Sequence, residues 1–365
     1  MDRRNFLRGT AGAAGVLALG GAAAVGGAQP AAAASDGRLS QWYRSREDYL
    51  ESEDRFAWTD ECQGLSRARY GAEDWWWVVC CSTEELPEWR GIHKLNFRWE
   101  RVDFLAYDEN WWPEGDNKDH VGAIHANNHI VSGNYTGRLY VPVEHGTPRV
   151  WITKPFGAAD KTPGQMYYLG IAGSGRYQTS APWCSTDLDD PRHVVPSGSM
   201  LVPHGGYLYS SNDDTDMVYG YKYNSAYPGG APPKFGQLQT MRASRMPHGL
   251  VNIAGGFVKG GRLYVSREGD PGQIICFKFG RENPGTSIHD LDPMVIEGTY
   301  TLTETDDVVD GATEIEGLCY APVEWNDGEG HRSKVSVVVL DQNGFTGRQD
   351  NAWIKHYDMP AHQAP

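Results

Sequence analysis

Three observations predict an all-β fold and, among all-β folds, a β-propeller. Short runs rich in Val, Ile, Tyr and Trp recur roughly every 55–75 residues, the mark of a repeat architecture. The chain holds 44 glycines and is 12% aromatic, a composition of strands and tight turns. No segment carries a long helical period, which weighs against α/β alternatives.

Each copy of the repeat is built from the same elements. One run ends in polar or acidic residues: 75–82 (WWWVVCCS), 139–145 (LYVPVEH), 208–214 (LYSSNDD), 263–270 (LYVSREGD) and 337–343 (VVVLDQN). A second follows after a turn: 91–97 (GIHKLNF), 148–156 (PRVWITKPF), 217–224 (MVYGYKYN), 272–280 (GQIICFKFG) and 351–359 (NAWIKHYDM). A glycine-bearing run precedes most of them: 62–65 (CQGL), 120–123 (HVGA), 253–256 (IAGG) and 315–318 (IEGL). In the third copy 183–185 (WCS) takes that slot without the glycine. A fourth run usually follows, at 102–107, 166–171, 235–241 and 294–302.

Four strands per copy, repeated around a ring, make a propeller. Five copies predict five blades, with six as the alternative. The last copy lacks an outer strand at the C-terminus. Residues 55–59 (RFAWT) sit where other copies keep their fourth strand, so they are expected to complete the last blade and close the ring. Closure would leave only short edges exposed. The charged stretch 36–52, with Arg44, Glu47, Asp48 and Glu51, suggests a short helix or a strap outside the ring. Residues 35–59 are thus strap and closing strand, and 60–365 the propeller.

Ahead of the repeat, Arg3 and Arg4 are followed by Asn5, Phe6, Leu7 and Arg8, a twin-arginine pattern read as an export address. Residues 9–35 carry no charge, and four alanines precede Ser35, a small-residue cleavage site. Residues 1–34 therefore read as a signal peptide, too rich in Gly and Ala for a membrane anchor. The mature protein is expected to be secreted, monomeric and without an integral membrane segment. The formal net charge is −14, which repels phosphate backbones and argues against nucleic acid as a partner.

Six cysteines in an exported chain allow fifteen disulfide pairings, and sequence does not choose among them. No Cys-X-X-Cys occurs. Cys80 and Cys81 are neighbours on one strand and point to opposite faces, so they do not suit each other as partners. A Gly-X-Ser-X-Gly elbow, a Walker loop and a Rossmann fingerprint are absent from the sequence.

The glycine-bearing strand, the Leu-Tyr-Val-X-X-Glu run (139–144) and the Glu-Ile-Glu-Gly-Leu run (314–318) resemble exported bacterial propellers. These include the gluconolactonase-like group and the helveticin and teichoic-acid-protein-C-like group. The resemblance spans most of 60–360 and rests on short strand motifs. In the lactonase-like group an inner-strand Glu before Gly binds a divalent metal. That resemblance implies such a role for Glu316, with Gln63 a poorer match.

A propeller's innermost strands line its axis, so Gln63, His120, His125 and Glu316 are expected at an axial channel. The ends of the second strands add Glu144, Asp213, Glu268 and Asp341. Oxygen donors from several strands suit Ca²⁺ or Mg²⁺. Paired carboxylates also suit acid–base chemistry on a glycosidic bond. Glu144 and Glu268, with His120 as base, are the catalytic candidates, and Glu316 is the metal candidate. Gln63, His125, Asp213 and Asp341 are binding candidates. Strand-end acids also cap backbone amides, which is the competing reading for each.

The loop 108–119 (DENWWPEGDNKD) places Trp111 and Trp112 among five acids. Exposed indoles stack on sugar rings and are otherwise unfavourable at a surface. Trp75, Trp76 and Trp77 lie in a strand and read as packing between blades. His129, His204 and His248 read as turn residues, and no zinc spacing is present.

Two functions remain open from sequence. One is a secreted enzyme acting on a carbohydrate or lactone in the axial funnel, with calcium as the candidate cofactor. The other is a non-catalytic propeller that binds carbohydrate or envelope. The enzyme predicts one asymmetric polar cluster at the axis; the binding protein predicts comparable pockets between successive blades.

Overall fold

In the computed structural model the strand runs of the sequence form small antiparallel sheets. The structure describes residues 41–42, 44–50, 59, 62–81, 90–107, 121–127, 130–131, 134–135, 137–143, 149–162, 164–171, 200–204, 207–211, 217–222, 235–246, 253–267, 272–278, 282–283, 289–291, 294–303, 313–324, 332–341 and 351–359. All of them lie in the compact unit Arg38–Pro365. Among them no helix is long and apolar enough to cross a membrane.

Sheet I runs Cys62–Tyr70, Glu73–Cys80, Gly91–Leu95, Arg101–Ala106, each strand antiparallel to the next. Sheet II runs His125–Asn127, Arg138–Val143, Arg149–Thr153, Gln165–Ile171. Sheet III runs Met200–His204, Tyr207–Ser211, Met217–Lys222, Phe235–Arg245. Sheet IV runs Ile253–Lys259, Arg262–Arg267, Gln273–Lys278, Val295–Leu302. Sheet V runs Thr313–Glu324, Arg332–Asp341, Asn351–Tyr357 and then Arg44–Leu50. Sheets II and III also join edge to edge, through parallel pairing of Met166–Ile171 with Phe235–Thr240.

Two sequence expectations are corrected here. The outer strand of sheet V is Arg44–Leu50, antiparallel to Asn351–Tyr357, and not residues 55–59. Of those, only Thr59 lies among the described residues. The charge of this stretch suggests helix or strap, yet a strand edge with open N–H and C=O groups accepts any chain that can extend, charged or not. The same segment touches sheet IV: Gln41–Trp42 pairs parallel with Thr301–Leu302, and the Arg44 amide donates to Thr303 Oγ1 at 3.0 Å. Second, the first strand of sheet III is Met200–His204, not 183–185, which lies outside the described residues.

The core lies between the sheets. Leu65, Trp76, Val78 and Leu95 of sheet I pack on Cys319, Val338, Leu340 and Ile354 of sheet V. On its other face sheet I sets Trp77, Val79 and Ile92 against Leu139, Val141 and Trp151 of sheet II. Sheets III and IV meet through Val202, Tyr209, Leu263 and Val265. Sheets IV and V meet through Phe257, Tyr264, Val337 and Val339. Trp76 and Trp77 thus go to opposite interfaces, as a period of two requires. Trp76 stacks on Trp99 at 4.9 Å, and Trp77 meets Phe156 edge-on at 4.9 Å. The first strands pack in succession as well: I on II, II on III, III on IV, IV on V, and V on I.

Candidate functional site

The first strands meet where their glycines lie. A Cβ added to Gly64 would fall 2.7 Å from the Ala123 Cα, and one added to Gly255 would fall 2.7 Å from the Leu318 amide. At Gly317 it would press on the Gly64 Cα and lie 3.0 Å from the Gln63 carbonyl oxygen. At Gly256 it would meet Met200 Sδ at 2.9 Å. The recurring glycine therefore serves backbone approach between neighbouring strands, where no side chain fits.

Four of the five first strands break register at this level. The register shifts between Cys62 and Gly64, between Ile253 and Gly256, and between Ile315 and Leu318. In sheet II, Val121 bridges Val143 while His125 pairs with Tyr140, so three residues face two. The first strand of sheet III keeps an unbroken register. A bulge bends its strand and re-aims the extra residue. Here the extra residues include Gln63 and Glu316.

Gln63 and Glu316 thus precede the glycines at which two first strands approach, Gly64 and Gly317, while His125 lies two residues beyond Ala123, which Gly64 approaches. The expectation that Gln63 and Glu316 line an open channel is corrected: each is 1% exposed, because the strands close on one another at the glycines. Ser266 ties two strands together, donating at 3.3 Å to the Gly255 carbonyl and at 3.2 Å to the Glu316 carbonyl. His125 is half-buried, and burial pushes its pKa down to about 4, against the pull of a hydrogen bond to the Gly256 backbone. Above that pH its imidazole is neutral.

Asp341 ends the second strand of sheet V, paired with Thr313 and Asn351, at the end where the first strand begins. Val143, Ser211 and Arg267 end the corresponding strands of sheets II, III and IV. Glu144, Asp213 and Glu268 follow them in sequence and lie outside the described residues, as do His120, Trp111 and Trp112. Calcium takes about six to eight oxygen ligands. The described residues offer one carboxylate and one amide here, beside an imidazole, and do not by themselves fit that ion. Among the described residues no group of three His, Cys, Asp or Glu could hold a metal ion.

Two arrangements were not legible in the sequence. Lys94, 5% exposed, places Nζ 4.0 Å from the Trp75 ring centroid, 4.2 Å from Tyr70 and 5.6 Å from Trp77. Burial pushes its pKa down, opposed by Asp103, Asp160 and Glu73. The Tyr70 hydroxyl donates to Asp160 at 2.7 Å, and Asp160 also accepts from the Gly157 amide at 2.9 Å. This ties sheet I to the turn after the third strand of sheet II. Ser336 Oγ lies 2.9 Å from His356 Nδ1, a nucleophile–base distance. Both residues are fully buried, and the His356 ring lies among Trp76 and Trp99 at 6.2 and 5.6 Å, so the pair is interface packing.

No family model matches this chain. No curated protein matches it either. Among solved structures it is similar to the glutaminyl cyclase of Myxococcus xanthus, with 10% identity, 87% of this chain and 98% of that one covered, and a TM-score of 0.41. It is similar to a putative oxidoreductase (glucose dehydrogenase) of Thermus thermophilus, with 11% identity, 85% and 99% coverage, and a TM-score of 0.33. A third is the β-propeller domain of Cps50 from Myceliophthora thermophila, with 11% identity, 82% and 84% coverage, and a TM-score of 0.38. The chain is all-β, built of small antiparallel sheets. Likeness at this level carries nothing about its chemistry.

Proposed function

We propose that the five sheets form one closed five-bladed propeller, exported by the address in residues 1–34 and then cleaved from it, that acts on a carbohydrate- or lactone-type substrate at one end of its axis. Closure is supported by the succession of first-strand contacts, which returns from sheet V to sheet I. It is also supported by the blade that the N-terminal strand Arg44–Leu50 completes.

The observation that carries the enzyme reading is asymmetry. Bulges carry an amide (Gln63) in sheet I and a carboxylate (Glu316) in sheet V, the imidazole of His125 follows the bulge of sheet II, sheet IV has glycines there and sheet III has no bulge. The described faces between sheets I and II, III and IV, IV and V, and V and I are filled by apolar clusters rather than by repeated polar pockets. In this reading Gln63 and Glu316 form a buried polar floor. Glu144 and Glu268 act as acid and base above it, with His120 as a second base. Asp213 and Asp341 orient the substrate, and Trp111 and Trp112 offer faces to a sugar ring. Calcium would be held through Glu316.

A panel of lactones and glycosides, followed by proton release or reducing ends, tests this. Turnover is expected, with Glu144→Gln and Glu268→Gln each losing about 100-fold or more at unchanged melting temperature. Oligosaccharide binding without turnover of any panel member would replace the enzyme with the binding propeller. Unchanged melting and activity with EDTA or added Ca²⁺ would remove calcium.

A further inference from the structure

We propose that Cys62 and Cys80 form a disulfide that pins the first strand of sheet I to the second, beside the bulge that carries Gln63. The two residues face each other as register partners of an antiparallel pair. Facing Cα atoms in such a pair are about 4.5–5.5 Å apart, within the roughly 4.4–6.8 Å that a disulfide spans. Their Sγ atoms already lie 2.9 Å apart. A bond at about 2.05 Å needs less than an ångström of further approach. The adjacent register shift between Cys62 and Gly64 gives the backbone room for it.

The remaining described thiols are held by other partners or other surroundings. Cys81 faces sheet II, where it donates to the Val121 carbonyl at 3.8 Å and accepts from the Val121 amide at 3.1 Å. Burial pushes the Cys276 thiol up to about 11 and the Cys319 thiol up to about 12, which keeps both protonated and poor nucleophiles.

Bond formation removes two electrons and two protons from the thiols. A disulfide oxidant of the glutathione class takes them up, its own S–S bond breaking to give two thiols. Both cysteines are fully buried in the folded chain, so the exchange takes place while the chain folds.

The test is tryptic mapping without reduction, on the full chain refolded from the reduced state in a glutathione redox buffer. Cleavage after Arg55, Arg67, Arg69 and Arg90 separates the peptides 56–67 and 70–90. We expect them as one linked species, two mass units below their sum, that dithiothreitol splits. Cys81→Ser should keep the link and Cys80→Ser should abolish it. Separate peptides at every oxidant concentration overturn the proposal, as does a link that survives Cys80→Ser but not Cys81→Ser. The mapping is read on the wild-type chain, so a variant that fails to fold leaves it decisive.

Discussion

Replacing Gly317 by alanine probes the place where the first strands meet. The new Cβ would press on the Gly64 Cα and lie 3.0 Å from the Gln63 carbonyl oxygen. Both obstacles are backbone atoms, so no rotamer change relieves them, and the first strands of sheets V and I must part. Overpacking of this kind costs about 1–3 kcal/mol, and the backbone neighbours put it at the upper end. At about 2 °C per kcal/mol for a domain of this size, the melting temperature should fall by about 4–6 °C. Differential scanning calorimetry or urea titration measures it. Gly71→Asn is the control: Gly71 sits at φ +65 with nothing within 4 Å of an added Cβ, and asparagine tolerates that conformation. It should cost less than about 1 kcal/mol. Gly64→Ala presses on Ala123 and Gly317→Ala presses on Gly64 itself, so the two share residue 64 and the double variant should depart from additivity by about 0.5 kcal/mol or more. A Gly317→Ala protein that melts with the wild type would refute the convergence of the first strands.

Other outcomes follow from the same geometry. His125 has a folded pKa of about 4 against an ordinary 6.5, so between these values the unfolded chain binds the extra proton. Stability is therefore full above pH 6.5, falls as pH drops towards 4 and then levels. The loss attributable to this group is at most about 3 kcal/mol, less for its partial exposure. Urea midpoints of wild type and His125→Gln should diverge by that slope across the window, and parallel curves would count against a buried neutral imidazole. Lys94→Met keeps the stem but removes the cation from Trp75 and Tyr70, which should cost about 1–2 kcal/mol with little salt dependence. A neutral result by urea denaturation would show that the rings contribute only packing. Arg3→Lys with Arg4→Lys should leave the precursor unexported, and N-terminal sequencing of the exported wild type should begin at Ser35; export of the double variant would sink the twin-arginine reading.

Much of the local structure was legible in the sequence. Most strand runs reappear within a few residues, the first run of the third copy and the closing strand of the last apart, and the alternation of Trp76 with Trp77 and of Cys80 with Cys81 gave the right faces. The recurring glycine marked the places where neighbouring first strands approach each other, and Gln63 and Glu316 stand beside two of them. Its physical reason differs from the one the repeat suggests. It admits a neighbouring backbone, so Gln63 and Glu316 are buried rather than aligned on an open channel. Lys94, with its rings drawn from two different strands, left no spacing to read.

By itself the sequence determined most of the strand segments and the alternation of faces within them, as at Trp76 and Trp77. Both follow from a period of two and from turn residues, properties of neighbours along the chain. Only the tertiary structure decided which strands meet. Arg44–Leu50 rather than 55–59 completes the last sheet, Gly64 rests against Gly317, and Cys62 faces Cys80 across a bulge. Pairing between distant segments is set by open strand edges and by the apolar faces that fit between sheets. A strand's own residues do not name the edge it will occupy.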